Sequence, residues 1–344
     1  MFLFADGFDS YSATADMTKK WDSINGSFAA FSAAAGIEGG GALVITGASG
    51  TACATKQVRA PSSSSNFTDD YVAFWVKISA APAARVILLE AVAGGSFNST
   101  LALNIESTGR LSMSSGGQGG VAAPFVCDNQ FHFVEMELRK TTVSGTSFSL
   151  AIDEVQCTSG STGATGAANG TDSWALFSTG LTVTIDDVVF WDATGSAPNS
   201  YPLGVKAIET IRPNGAGANT DFTLHGAATN YQCVNESNAD DDGTYVSDAT
   251  AGHYDLYDYA SLSATPASIQ AVITNHRARP ATASTPTVRA KAKSNSSLAN
   301  GTSVSLGGLT YKMQQDIFVT DPDTSAAWTG AGVNAAQFGL ELVS

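Results

Sequence analysis

The hydrophobic pattern of the chain is that of short β-strands. In residues 134–138, Val, Met and Leu alternate with Glu, which gives a strand one apolar and one polar face. Residues 71–78 and 148–152 alternate in the same way, and Gly or Ser clusters separate such runs. Residues 158–173 are almost wholly Ser, Thr, Gly, Ala and Asn, which predicts a long exposed loop. The pattern predicts an all-β protein.

A segment rich in Pro, Gly, Ser and Asn divides the strand pattern at residues 196–204 and predicts a linker. Residues 1–195 contain many short strands with regular turn signals, which favours a β-sandwich. The strand pattern resumes in residues 205–344, where 268–279 is the longest alternating run. We therefore expect two domains, the second of them another antiparallel β-sandwich.

Three motifs in the first domain resemble strands of the concanavalin A-like, or laminin G-like, jelly roll. Residues 4–9, Phe-Ala-Asp-Gly-Phe-Asp, are similar to its first strand. Residues 130–135 are similar to its W-H-x-V strand, with Phe131 where Trp is commoner, and residues 185–191 to its I-D-D-V strand, which pairs with the first. The resemblance implies this fold, which is shared by lectins, adhesion modules and glycoside hydrolases and so assigns no function.

Residues 204–344 resemble the C-terminal module of accessory structural proteins of tailed bacteriophages. The resemblance lies in residues 235–246, Asn-Glu-Ser-Asn-Ala-Asp-Asp-Asp-Gly-Thr-Tyr-Val, and in residues 321–329 and 333–341. It implies a virion structural protein on the outside of capsid, collar or tail, as a decoration or fibre protein. It also implies assembly in the host cytoplasm, other virion proteins and further copies of the chain as partners, and adhesion to a host-surface glycan.

Charge and hydropathy narrow the set of partners. The net charge is −14 and the basic residues are scattered, so the chain lacks the clustered Lys and Arg that neutralise phosphates. No run of eighteen apolar residues exists, and residues 1–6 lack the basic and apolar regions of a secretory signal. We expect neither nucleic acid nor membrane as a partner.

The sequence contains no motif that points to a reaction. Hydrolases of this fold that resemble laminarinases carry Glu-x-Asp-x-x-Glu or Glu-x-Asp-x-Glu, and neither string occurs here. Asp186 and Asp187 are adjacent, so on a regular strand they point to opposite faces and cannot act on one glycosidic bond. Asp153 and Glu154 are adjacent too and are typical of a hairpin turn. We therefore expect a non-enzymatic protein without catalytic residues or cofactor.

Two other functions stay open. A free carbohydrate-binding module or adhesin would use exposed aromatic rings, and Trp21, Trp174 and Trp328 are not clearly in phase with the core. A glycoside hydrolase is the third alternative, and the missing acid pair disfavours it.

Asp240, Asp241 and Asp242 are candidate calcium ligands, because hard cations prefer clustered oxygen ligands. Their spacing is not that of an EF-hand, and a solvated turn accounts for the same residues. The four cysteines have no zinc-site spacing. Free thiols are the simplest interpretation, with a Cys127–Cys157 disulfide as the alternative.

Overall fold

The computed structural model describes residues 1–59, 69–93, 96–115, 118–142, 145–163, 171–195 and 198–344. The chain divides into two compact units, Met1–Ile208 and Glu209–Ser344. Both consist mainly of antiparallel strands, so the all-β prediction is confirmed. The described helices are short: two 3-10 turns, Thr14–Lys19 and Asn230–Cys233, and the α-helix α1, Gly330–Ala335.

The strands of the first unit are β1 (Phe2–Asp6), β2 (Ser23–Ile24), β3 (Ala29–Ser32), β4 (Ala42–Ile45), β5 (Ala52–Gln57), β6 (Asp70–Ile78), β7 (Val86–Ala93), β8 (Ser96–Ile105), β9 (Arg110–Ser115), β10 (Gln118–Phe125), β11 (Phe131–Thr142), β12 (Gly145–Ile152), β13 (Val155–Gly163), β14 (Ser173–Phe177) and β15 (Val183–Asp192).

These strands form two antiparallel sheets that pack face to face as a sandwich. The eight-stranded sheet has the order β13-β12-β11-β6-β15-β4-β3, with β1 paired to β15. The seven-stranded sheet has the order β10-β9-β8-β7-β14-β5-β2. The core between them contains buried side chains of both sheets, among them Phe74, Val76, Leu103, Met113, Trp174 and Phe190.

The first and last strands of the first unit, β1 and β15, pair within the eight-stranded sheet. Phe4 lies opposite Phe190, and Asp6 lies opposite Val188. The resemblance in residues 4–9 and 185–191 implied this pair. The predicted hairpin also forms, since β11 and β12 are antiparallel with Val134 opposite Ile152. Apolar alternation was sufficient here, because the core-facing side chains recur at every second residue of each strand.

The strands of the second unit are β16 (Pro213–Thr220), β17 (Thr223–His225), β18 (Tyr245–Ser247), β19 (Tyr254–Tyr259), β20 (Val272–Ala278), β21 (Thr287–Ser294), β22 (Ser297–Asn300), β23 (Val304–Ser305), β24 (Lys312–Phe318) and β25 (Gln337–Leu342).

A six-stranded antiparallel sheet forms the centre of the second unit. Its order is β16-β19-β25-β21-β22, with β23 paired to β21. Two antiparallel pairs, β17-β18 and β20-β24, complete the unit. Ala292 and Phe338 of the sheet pack with Phe318 of β24, and Trp328 and Val333 join the same core. The second unit is thus also built as packed antiparallel layers.

Two segments differ from the sequence-based expectation. Strand β13 continues to Gly163 and pairs with β12, so the predicted loop at 158–173 begins with a strand, and its residues 164–170 lie outside the described part. The predicted linker at 196–204 falls inside the first unit. The sequence of β13 has no apolar alternation and therefore does not predict a strand. The strand forms because pairing with β12 provides hydrogen-bond partners for its backbone groups.

Candidate functional site

The face of the seven-stranded sheet turned away from the core carries a row of small side chains with one carboxyl group near its middle. Leu89 and Ala91 belong to the core, so Glu90 between them points away from it. Strand register places small residues on both sides of Glu90, and together these side chains are called the transverse row: Ser114, Ala102, Glu90, Ala175, Thr55 and Ser23. With neighbouring strands about 4.8 Å apart, the row is about 24 Å long.

Larger apolar side chains lie beside the row on the same face. Val92, Ala175 and Phe177 form a buried cluster separate from the main core, and Ala52 and Ile87 pack against it. The row therefore has small side chains with larger ones beside it, and Ala102, Glu90 and Ala175 at its middle are 2%, 4% and 0% exposed.

Glu90 is the chemically distinctive member of the row. Its residue surface is only 4% exposed, and Ala102 and Ala175 lie opposite it on the two neighbouring strands. No group in the described ranges donates a hydrogen bond to its carboxyl oxygens. Burial raises the pKa of Glu90. A raised pKa in a carboxyl group that has no donor among the described residues is a property of catalytic acids and bases.

The polar side chains next to the row already have partners. The Asn104 amide donates to Ser114 Oγ at 2.9 Å. Ser112 Oγ donates to Glu106 Oε1 at 2.5 Å, and Arg85 Nε donates to the same oxygen at 2.7 Å. These contacts fix polar side chains on and next to β8 and β9, of which Ser114 lies in the row.

The second carboxyl group on this side of β8 is too far away to work with Glu90. Glu106 lies four residues beyond Ala102, the strand neighbour of Glu90, which corresponds to about 13 Å along the strand. Paired carboxyl groups in glycoside hydrolases are about 5–10 Å apart. The row therefore offers one proton-transfer group and does not provide the acid pair of a hydrolase.

The predicted calcium candidates contact protein groups. Arg277 donates to both carboxylate oxygens of Asp241, at 2.5 and 3.0 Å. Asp242 accepts from Arg279 at 2.7 Å and from Tyr311 at 2.8 Å. Asp240 accepts the backbone N–H of Thr244 at 3.0 Å. Throughout the described ranges, no group of three or more His, Cys, Asp and Glu side chains is placed to hold a metal ion.

Asp186 and Asp187 do not lie on opposite faces of a regular strand, as the sequence had led us to expect. The register of β15 shifts between Asp186 and Val189, and Asp187 has a φ of 48°. Both carboxyl groups are buried, and burial raises the pKa of Asp186 to about 6. Burial and the neighbouring Asp186 raise the pKa of Asp187 to about 8. The adjacency argument failed because it assumed regular strand geometry.

A carbohydrate-binding module would expose aromatic rings, and none of the three candidate tryptophans is exposed. Trp21 and Trp174 are each 2% exposed and Trp328 is 3% exposed, so none presents a ring face to solvent. All four cysteines are free. No helix within the described ranges has the length and apolar character needed to span a membrane.

Sequence reasoning missed Glu90. A signal was available, because Glu90 interrupts the otherwise apolar run 86–93, whose remaining residues are Val, Ile, Leu and Ala. An isolated carboxyl group in such a strand is either buried or turned towards a functional face. Its small neighbours could not be identified in advance, because they come from strands that are distant in sequence.

No protein family and no curated protein matches the chain. Solved structures do. An endo-β-1,4-glucuronan lyase from the fungus Trichoderma reesei is similar with a TM-score of 0.39 and 11% identity, covering 55% of this chain and 95% of that chain. A carbohydrate esterase from the Shiga toxin-encoding bacteriophage phi24B has a TM-score of 0.39 and 15% identity, covering 55% and 97%. An alginate lyase from Aplysia kurodai has a TM-score of 0.36 and 10% identity, covering 56% and 99%.

These structures are carbohydrate-active enzymes, and the likeness at such identities is one of fold alone. They correct two expectations from the sequence. The prediction of a non-enzymatic virion structural protein is corrected, because the three structures named above are two polysaccharide lyases and a carbohydrate esterase. The expectation that the chain is not an enzyme is withdrawn on the same finding. The predicted partners, including further copies of the chain, and the predicted location stay predictions.

Proposed function

We propose that the first unit is a concanavalin A-like, carbohydrate-active enzyme that binds a glycan along the transverse row and uses Glu90 to transfer a proton. The position of Glu90 carries this proposal: a carboxyl group without a hydrogen-bond donor among the described residues, near the middle of a row of small side chains. Burying a carboxyl without partners costs free energy, and a functional role accounts for its retention.

The small residues give a sugar close access to the sheet. Ala102 and Ala175 border Glu90 on its two sides, so the cross-strand neighbours of the carboxyl group are small side chains. Ser114 and Thr55, one strand further out, supply hydroxyl groups that can donate to or accept from sugar hydroxyls. The row thus combines a proton-transfer group with neutral hydrogen-bonding groups.

Charge favours a neutral glycan over an acidic one. The row contains no Lys or Arg, and the chain has a net charge of −14. A polyanionic glycan would be repelled by this field and would find no cation in the row. In its ionised form Glu90 would take a proton from a water molecule that attacks an ester carbonyl of a bound sugar, and would return that proton to the sugar oxygen that leaves, a role that contributes about 10²–10⁴-fold in rate.

The test is turnover of a glycan panel by the wild type and by Glu90→Gln. The panel contains neutral glucans, glucuronan, alginate, sialosides and acetylated sugars, and the readouts are new reducing ends, unsaturated products and released acetate. We expect release of acetate from a neutral acetylated sugar and a loss in kcat of about 10²-fold or more in Glu90→Gln, with KM little changed.

Glu106→Gln is the matched control, since Glu106 is a carboxyl group beside the row that already contacts Arg85 and Ser112. It should keep kcat within a few-fold of the wild type. Absence of turnover on the entire panel, or full activity in Glu90→Gln, would overturn the proposed function.

A further inference from the structure

A segment predicted as a flexible linker is bound to the outer face of the eight-stranded sheet. The segment of residues 200–208 is called the strap. Trp191 Nε1 donates to the Ser200 carbonyl at 3.0 Å, and Trp75 Nε1 donates to the Lys206 carbonyl at 2.9 Å. The Tyr201 ring stacks on Tyr71 at a centroid distance of 6.0 Å. The strap is therefore attached along its length to side chains of β6 and β15.

Glu135 of β11 lies beneath the middle of the strap. Its Oε1 accepts the backbone N–H groups of Leu203 at 2.6 Å and Gly204 at 3.0 Å. Glu135 is 0% exposed, and its Oε2 has no hydrogen-bond partner. The Tyr201 hydroxyl donates to the Glu135 carbonyl at 3.3 Å. One carboxyl group thus provides the anchor of the strap and keeps one oxygen unsatisfied.

The unsatisfied oxygen indicates which protonation state the closed strap favours. A buried carboxylate with one unpaired oxygen is far more costly than the neutral acid, because charge is harder to desolvate than an O–H group. Burial raises the pKa of Glu135, although the N–H groups of Leu203 and Gly204 act in the opposite direction. Of the charged groups facing it, Lys206 on the strap lowers this pKa and Glu154 raises it.

We infer that residues 200–208 form a pH-sensitive latch, closed over the eight-stranded sheet while Glu135 is protonated and loosened when Glu135 ionises. When the strap lifts, water reaches both oxygens of Glu135 and the carboxylate becomes solvated. The strap is the last segment of the first unit, which ends at Ile208.

The direction of the pH effect follows from proton linkage. With the strap open, Glu135 titrates near its ordinary value of 4.5, and with the strap closed it titrates at higher pH. Closure is therefore fully supported below pH 4.5. It weakens as the pH rises from 4.5 through the raised pKa, and it does not weaken further above that.

The test is an NMR pH titration of the full chain from pH 4 to pH 8. The indole N–H signals of Trp75 and Trp191 report the strap, and that of Trp328, which donates to the Phe318 carbonyl, is the internal control. We expect both strap signals to shift with one midpoint above 4.5 while Trp328 stays constant. Amide exchange at Leu203 and Gly204, corrected for intrinsic rates, should increase about tenfold for each unit by which the midpoint exceeds 4.5.

Glu135→Gln preserves the shape of the anchor and cannot ionise, so its strap signals should lose the shift that has the Glu135 midpoint. Asp187, which accepts the Ile208 N–H of the strap and whose pKa is raised to about 8, titrates separately. Tyr201→Phe removes a strap contact and should raise exchange at every pH with the same midpoint. The inference is overturned if the wild-type strap signals do not titrate, or if Glu135→Gln keeps the wild-type titration. If Glu135→Gln fails to fold, the carboxyl ¹³C signal of Glu135 is titrated in the wild type instead. The inference is then overturned if the midpoint of this signal differs from the midpoint of the indole shifts.

Discussion

Buried carboxyl groups in the first unit differ in the number of donors that reach them. Glu90 receives none from the described residues, and Glu135 receives two backbone N–H groups on one oxygen. Asp6 receives the Phe8 N–H and Lys20 Nζ on Oδ1, and Trp21 Nε1 and the Tyr11 hydroxyl on Oδ2. A fully bonded carboxylate is structural, whereas an unbonded one is available for chemistry.

Replacing Asp6 tests the structural role. In Asp6→Asn the buried Lys20 loses its charge partner, and the new amide N–H₂ faces other donors. We expect the free energy of unfolding to fall by about 3–5 kcal/mol, measured by urea denaturation. Asp22→Asn, at a carboxylate with a half-exposed side chain, is the control and should change stability by less than about 1 kcal/mol. Equal effects of the two substitutions would contradict this assignment.

The lowered pKa of Asp192 predicts how the stability of the first unit changes in acid. Burial acts to raise its pKa, but hydrogen bonds from Thr194 and Arg59 outweigh burial and lower the pKa to about 2. The lowered value means that Asp192 stabilises the fold above pH 3.8 and that this contribution is lost as the pH falls towards 2. Asp192→Asn should lower the free energy of unfolding by about 2 kcal/mol at pH 7 and by almost nothing near pH 2. Urea denaturation at both pH values measures the difference, and an equal cost at the two would contradict it.

At the scale of elements, strand register decides what each side chain can do. The β12–β13 hairpin agrees with the sequence: Asp153 and Glu154 form its turn, with φ values of 52° and 67°. Strand β15 does not agree with the sequence-based expectation, because the irregularity after Asp186 brings the carboxyl groups of Asp186 and Asp187 into one buried environment. The transverse row depends on register as well, since a slip of one residue in β7 would turn Glu90 into the core.

The transverse row predicts that a bulky side chain within it blocks a ligand. Thr55 lies next to Ala175 in the row, and its hydroxyl contacts Ser23 at 2.6 Å. Thr55→Trp should lower the affinity for the glycan by about tenfold or more with little change in melting temperature, because Thr55 is only partly buried. Ser27→Trp, at an exposed turn position, is the control, and calorimetric titration measures both. Unchanged binding in Thr55→Trp would exclude the row as the binding surface.

At the scale of the molecule, the boundary between the units lies beyond the strap. A fragment of residues 1–195 lacks the strap and exposes Tyr71, Trp191 and Glu135, which are 4%, 0% and 0% exposed in the chain. A fragment of residues 1–208 keeps these contacts. The shorter fragment should be less stable by about 3 kcal/mol in urea denaturation, because it loses the burial of two large aromatic side chains. Equal stability of the two fragments would show that the strap contributes no stability.

The sequence by itself determined the fold class and several strand pairs. Alternation in residues 134–138 and 148–152 defined a hairpin, and the motifs at 4–9 and 185–191 indicated the first and last strands of one sheet. Such features are visible because a half-buried strand repeats every two residues and a hairpin joins neighbours in the chain.

Only the tertiary structure decided the candidate site and the role of residues 200–208. The side chains around Glu90 come from strands whose residues range from Ser23 to Ala175, so their small size has meaning only once the sheet order is known. Residues 200–208 have the composition of a linker, and they are ordered by Trp75, Glu135 and Trp191, which are distant in sequence. Local composition sets the conformations a segment can adopt, whereas contacts between distant strands select one of them and place its polar groups.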